Sequence, residues 1–198
     1  GGLGGDAGGP INDRGGTLRF VAQLACEAEF QFFRDSGSSS RTQATINLMV
    51  NIVNSQYERE VDIRHTITTI LIRTFQNYNT ALNLREQFMN TWNATQGGVV
   101  RDLAIQFDGN GNGGQATGNG LICVTNMAYA GVGCDWPNLS YRCDVLSHEM
   151  GHLWGACHCP ACDNPPYTMH PIVNYANRFL GAPGNECGSQ TLLQIFAH

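Results

Sequence analysis

One run, His148-Glu149-Met150-Gly151-His152-Leu153-Trp154-Gly155-Ala156-Cys157-His158, constrains this chain more than any other segment. In a helix, positions i and i+4 share a face, so His148 and His152 present their imidazoles side by side to one ion. Glu149 lies one residue round from the first imidazole, placed to reach a metal-bound water rather than the metal. Gly155 serves the third histidine. A helix that simply continued would carry His158 too far along its axis, whereas glycine takes the positive φ that ends a helix and turns the chain back. Three neutral imidazoles and one open position form the coordination of a catalytic zinc, not of a closed structural one.

A chain of 198 residues fits one domain with a real core. The formal net charge is -5, and every basic residue is arginine, so no basic nucleic-acid footprint exists. No apolar stretch reaches the length of a membrane span. The Gly-rich segment 1–16 reads as a linker or processed terminus of a longer precursor, and 17–198 as the folded domain. Eight cysteines form an even set, which favours disulfides and a secreted, oxidising setting. The sequons Asn93-Ala94-Thr95 and Asn138-Leu139-Ser140 suit that setting without deciding it.

The pattern of elements alternates. Thr17 to Cys26 reads as a strand, and Thr42 to Tyr57 as an amphipathic helix with Ile46, Met49, Val50 and Val53 on one face. Val61 to Thr74 is rich in β-branched residues and reads as a long strand. Leu82 to Thr95 returns to helix, and Val99 to Phe107 is the next strand. This βαβαβ order implies parallel strands with right-handed crossovers. Asp108 to Gly120 reads as a Gly/Asn-rich loop, Leu121 to Val132 as extended chain, and Tyr141 to Leu153 as the helix bearing the histidines. A short helix from Gln190 to Ala197 closes the chain.

With these segments in place, the chain resembles the metzincin zinc endopeptidases, and among them the reprolysin (adamalysin-like) group. The long histidine motif carries most of the resemblance. Thr168-Met169-His170-Pro171 follows it at a distance suited to the Met-turn, which in that family floors the metal site. Arg101 to Ala104 and Asn126 to Cys134 resemble the segments leading into and forming the substrate-binding edge. The resemblance implies an α/β fold: a twisted, mostly parallel sheet with an antiparallel edge strand, two long helices and an active-site helix. Residues 17–158 would form an upper subdomain, and 159–198 a small irregular lower one with the Met-turn. Two departures stand out. Cys159 follows the third histidine where reprolysins usually have Asp, and Pro171 occupies the place of the astacin and serralysin Tyr. A divergent reprolysin-like branch is the expectation.

The chemistry expected is peptide hydrolysis in protein or peptide substrates by a monomeric domain. His148, His152 and His158 would hold one Zn2+, and Glu149 would act as general base. An extended peptide would add to the edge strand around Asn126 to Val132, with Met127, Ala128 and Tyr129 at the contact. By resemblance, Pro171, Ile172 and Val173 would line the pocket for the side chain after the scissile bond. Two rival functions differ in kind: a catalytically silent binding or adhesion domain, and a structural zinc module. Retention of Glu149 argues against the first. Cys157-His158-Cys159-Pro160-Ala161-Cys162 favours the second, but a structural site explains neither Glu149 nor Gly155. Asp108-Gly109-Asn110-Gly111-Asn112-Gly113 copies half of an EF-hand loop, yet Asn119 stands where its bidentate Glu belongs, so Ca2+ is disfavoured. His65, His170 and His198 lack ligand spacing and read as ordinary polar or partly buried residues.

Overall fold

The computed structural model describes residues 20–135, 137–158, 167–172 and 176–179. Its elements run β1 (Phe20–Ala28), α1 (Phe30–Ser36), α2 (Ser39–Val61), β2 (Ile63–Ile72), α3 (Leu84–Thr95), β3 (Leu103–Asp108), β4 (Gly114–Ala116), β5 (Tyr129–Gly133) and α4 (Leu139–Leu153). The five strands form one sheet in the order β2-β1-β3-β5-β4. The β1–β2, β1–β3 and β3–β5 pairs are parallel, and β4 pairs antiparallel with β5 at the edge.

Strand alternation sorts the core into two faces. Leu24 and Cys26 of β1, Leu103, Ile105 and Phe107 of β3, and Ala130 and Val132 of β5 point to the face covered by α2 and α4. There they meet Ile46, Met49, Val50, Val53 and Tyr57 of α2 and Leu146 and Met150 of α4, all buried. The intervening Ala25, Ala104 and Tyr129 point the other way, against Phe88 and Trp92 of α3. The small alanines let α3 lie close to the sheet. The helix carrying the histidine motif is thus fixed between α2 and the β4–β5 hairpin.

Several sequence boundaries shift. Thr17 lies outside the described residues, and the first strand continues to Ala28. The short helix α1 was not expected; seven residues are too few to show a period, and its signals are the Glu29 cap accepting from the Phe32 N–H and Gly37 with φ 78. The third strand starts at Leu103, because the chain turns at Gly97-Gly98 and the buried Arg101 donates to the Gln96 and Val99 carbonyls, keeping Val99 to Arg101 out of the strand. Within the Asp108–Gly120 loop, Gly114–Ala116 forms the edge strand β4. Leu121–Ala128 is mostly turns, with Cys123 at φ 64, and only Tyr129 onward is strand. Cys26, Cys123, Cys134 and Cys143 are free thiols, so these four do not enter the disulfide set expected from the even count. Both sequon amides are engaged locally: Asn93 donates to the Asn126 carbonyl, and Asn138 caps α4. The helix expected at Gln190–Ala197 lies outside the described residues. No described helix is long and apolar enough to cross a membrane.

His65 on β2 is buried under α2. Its Nδ1 lies 3.1 Å from Asn54 Oδ1, and its Nε2 accepts from the Trp154 indole N–H at 3.0 Å. Burial lowers this imidazole to about 3, so the native state keeps it neutral. The unfolded chain takes up a proton below the ordinary value of 6.5 and the folded chain does not, so stability falls with falling pH across that window. The slope from this residue reaches about 1.4 kcal/mol per pH unit. Denaturant titrations between pH 6.5 and 3 should therefore show a shallower decline for His65→Gln. An equally steep decline would contradict this account.

Candidate metal centre

The last turns of α4 and the chain just beyond build the centre. Asn138 accepts from the Ser140 N–H to start the helix, and Trp154 closes it. Gly155, at φ 96, donates to the His152 carbonyl, and the Ala156 N–H reaches back to the Gly151 carbonyl. This 5→2 and 6→1 pair is a Schellman closure, which needs a left-handed residue where a side chain would be strained. It reverses the chain and returns His158 to the face carrying His148 and His152.

The three Nε2 atoms form a triangle with edges of 3.0 Å (His148–His158), 3.1 Å (His152–His148) and 3.1 Å (His152–His158). His148 Nδ1 lies 2.7 Å from the Thr168 carbonyl, and His152 Nδ1 lies 2.7 Å from the Ala156 carbonyl. A carbonyl only accepts, so each Nδ1 carries its proton and each Nε2 presents a bare lone pair. Burial lowers His148 to about 4 and also lowers His152 and His158, so all three are neutral at pH 7. Lone pairs this close repel unless a cation lies between them, and one ion about 2.0–2.1 Å from each nitrogen fits above such a triangle. Among the described residues, this is the one group of three side chains able to hold a metal, and it contains no cysteine sulfur.

Glu149 is buried on the sheet side of α4, where desolvation pushes its carboxyl up to about 8 against the opposing effect of the Ala116 N–H. The edge strand crosses directly above it: a Cβ on Gly114 would stand 2.5 Å from Glu149 Cγ. A cavity of about 330 Å³ opens beside it, lined by Gly114, Gln115, Ala116, Glu149, His152 and His158 among others. A larger cleft of about 460 Å³ lies on the α3 face and contains none of the histidines. The smaller cavity is the one with the chemistry.

Met169 is buried, its sulfur 2.6 Å from where a Cβ on Gly151 would lie. It therefore lies under α4 between the two helical ligands. Of the residues expected at the substrate contact, Met127 is exposed, whereas Ala128 and Tyr129 are buried. Tyr129 is turned to the α3 face and donates to Asn93 Oδ1. The expectation of a peptide-accepting edge at Asn126–Val132 is corrected here. Residues 129–133 lie between β3 and β4, so their main chain is already paired on both sides, and the outer edge belongs to Gly114–Ala116. Pro171 and Ile172 are exposed, and Val173 lies outside the described residues, as do Cys159 and Cys162. His170, read from sequence as an ordinary residue, stands close enough to help depress His148 and His158. In the Asp108–Gly113 loop, Asp108 accepts from the Asn110 N–H. Spacing did not reveal Thr168 as the partner that orients His148, because it is remote in sequence.

The family model for Metallo-peptidase family M12B Reprolysin-like proteins matches residues 43–159, from α2 through the third histidine. The chain belongs to this family. Its histidine triad is the metal site of a reprolysin-like metallopeptidase, consistent with zinc. No curated protein matches the chain. Among solved structures, metalloproteinase-II from Bacteroides fragilis is similar over 89% of this chain and 52% of its own, at 20% identity and TM-score 0.60. The archaemetzincin of Methanopyrus kandleri is similar over 90% of this chain and 97% of its own, at 15% identity and TM-score 0.59. A protein solved in a chaperone-substrate complex is similar over 91% of this chain and 34% of its own, at 11% identity and TM-score 0.63. This reprolysin-like chain thus spans about a third and about half of two of these neighbours. At such identities the likeness is one of fold, a metzincin-like α/β architecture.

Proposed function

We propose that this chain is a secreted zinc endopeptidase that hydrolyses peptide bonds with Glu149 as general base. The observation that carries the reading is the triangle of three converging Nε2 atoms beside a buried carboxyl beneath an open sheet edge. When bound, zinc lowers the pKa of its water and polarises the scissile carbonyl. His148, His152 and His158 hold the metal, with Nδ1 of the first two fixed by backbone carbonyls. Glu149 takes the proton of the attacking water and delivers it to the leaving amine. Burial raises this carboxyl, and a cation held beside it by the histidines would favour the charged form that accepts the proton. An extended substrate is best accommodated along Gly114–Ala116, pairing through main-chain hydrogen bonds. Pro171 and Ile172 stay assigned to the wall of the pocket beyond the scissile bond.

Digestion of casein or a peptide library tests this. Internal cleavage should occur with the metal present, stop on adding a chelator and return with zinc. Cleavage that persists through chelation would overturn the reading. The position of β4 gives a second expectation. Gly114→Ala drives a methyl into Glu149, displacing the base or the edge strand. Turnover should fall by about 10²-fold, the effect of misplacing a reacting group by about 1 Å. Zinc content should stay at the wild-type level. Unchanged turnover would remove β4 from the account.

A further inference from the structure

We propose that Gln56 is a positioning residue for the metal ligand His148, acting through Thr168. The inference rests on the metallopeptidase reading of the triad. Gln56 lies on α2, far from the histidines in sequence, and is 1% exposed. Its Oε1 accepts from Ser147 Oγ at 2.9 Å, and its Nε2 donates to Thr168 Oγ1 at 2.9 Å. Ser147 directly precedes His148 on α4. Thr168 directly precedes Met169, and its carbonyl is the group that holds His148 Nδ1 at 2.7 Å. One buried amide thus grips both the helix turn that carries the ligand and the residue whose carbonyl orients its ring.

The neighbours reinforce the same register. Tyr57 Oη donates to the Ser147 carbonyl at 2.9 Å, adding a second tether from α2 to that turn. From the other side, Thr168 N–H donates to the Arg178 carbonyl at 2.8 Å, and Arg178 N–H donates to Thr168 Oγ1 at 3.2 Å. Thr168 is therefore held by α2 and by the chain beyond the Met-turn segment, leaving its carbonyl little freedom to follow a rotating imidazole. An amide that served only packing could be replaced by an apolar side chain of the same length at small cost. What such a side chain cannot supply is a donor and an acceptor at fixed separation, linking two segments that share one ligand. Partners that orient a metal-binding imidazole typically contribute about 10–100-fold to metal affinity.

The test measures zinc affinity by competition with a chromophoric chelator, and the visible spectrum of the Co2+-loaded protein. It compares wild type, Gln56→Met, Thr168→Val, Thr168→Ser and the Gln56→Met/Thr168→Val double variant. Gln56→Met and Thr168→Val should each weaken zinc by about 10–100-fold and alter the Co2+ ligand-field bands. Thr168→Ser, which keeps the hydroxyl, should restore both readouts to near the wild-type values. The double variant should lose less than the two single losses combined, since both break the Gln56–Thr168 bond. Should Gln56→Met lower stability, Thr168→Val against Thr168→Ser tests the Thr168 hydroxyl without touching α2. Wild-type affinity and spectrum in Gln56→Met, or additive losses in the double variant, would overturn the proposal. Failure of the wild type to take up zinc would instead overturn the metal reading, and this proposal with it.

Discussion

Replacing Glu149 by alanine is expected to lower kcat by about 10²–10⁴-fold, the usual contribution of a positioned general base. The triad is left intact, since Glu149 is not among the three side chains that converge on the metal position. Zinc content should stay at the wild-type level. Stability should not fall, because the native site raises this carboxyl to about 8 by burying it. Removing a group that burial disfavours in its charged form relieves the fold rather than weakening it. The combination of retained metal, retained fold and lost turnover separates a base from a structural acid. Near-normal turnover in the zinc-loaded variant would contradict the role assigned to Glu149.

The loss of a ligand has the opposite signature. His152→Ala should weaken zinc by more than the about 100-fold that removing a mere orienting partner costs, and should bring activity to background. The metal-free protein should tell a different story. Without a cation, three neutral imidazoles face one another with Nε2 atoms 3.0–3.1 Å apart, an arrangement that costs energy. Deleting one of them relieves that crowding, so the apo variant should melt no lower than apo wild type. The stabilisation that zinc adds by mass action should be present in wild type and missing in the variant. Melting curves with and without zinc check both halves. A zinc-dependent shift of equal size in His152→Ala would contradict the assignment.

The contrast between these local residues and the rest shows what a sequence makes legible. His148, Glu149, His152, Gly155 and His158 lie within one helix and its closing turn, so the period of the helix and the freedom of glycine sufficed to place them. The strands and helices with long apolar periods were legible for the same reason, as at Ile46, Met49, Val50 and Val53. The three-residue edge strand was not: Gly114, Gln115 and Ala116 offer no β-branched residue, and pairing with β5 makes them a strand. The edge was therefore read one strand too far inward. Gln56 and Thr168 were illegible because their bond spans 112 residues, and a buried glutamine on a helix looks in sequence like a solvated one. Glu27 is a further case. It is fully buried, and it accepts from Arg73, Tyr78, Trp92 and Gln106, partners drawn from beyond the first strand.

The central claim is that one zinc is held by three histidine nitrogens with a position left open. X-ray absorption at the zinc edge on the purified protein measures this directly, together with the metal content. The account predicts one zinc per chain and a first shell of nitrogen and oxygen at about 2.0–2.1 Å, with no sulfur. Addition of a hydroxamate should perturb that shell, because the open position accepts an outside ligand. A shell containing sulfur at about 2.3 Å would mean that thiolates near His158 close the site, and the structural reading would replace the catalytic one.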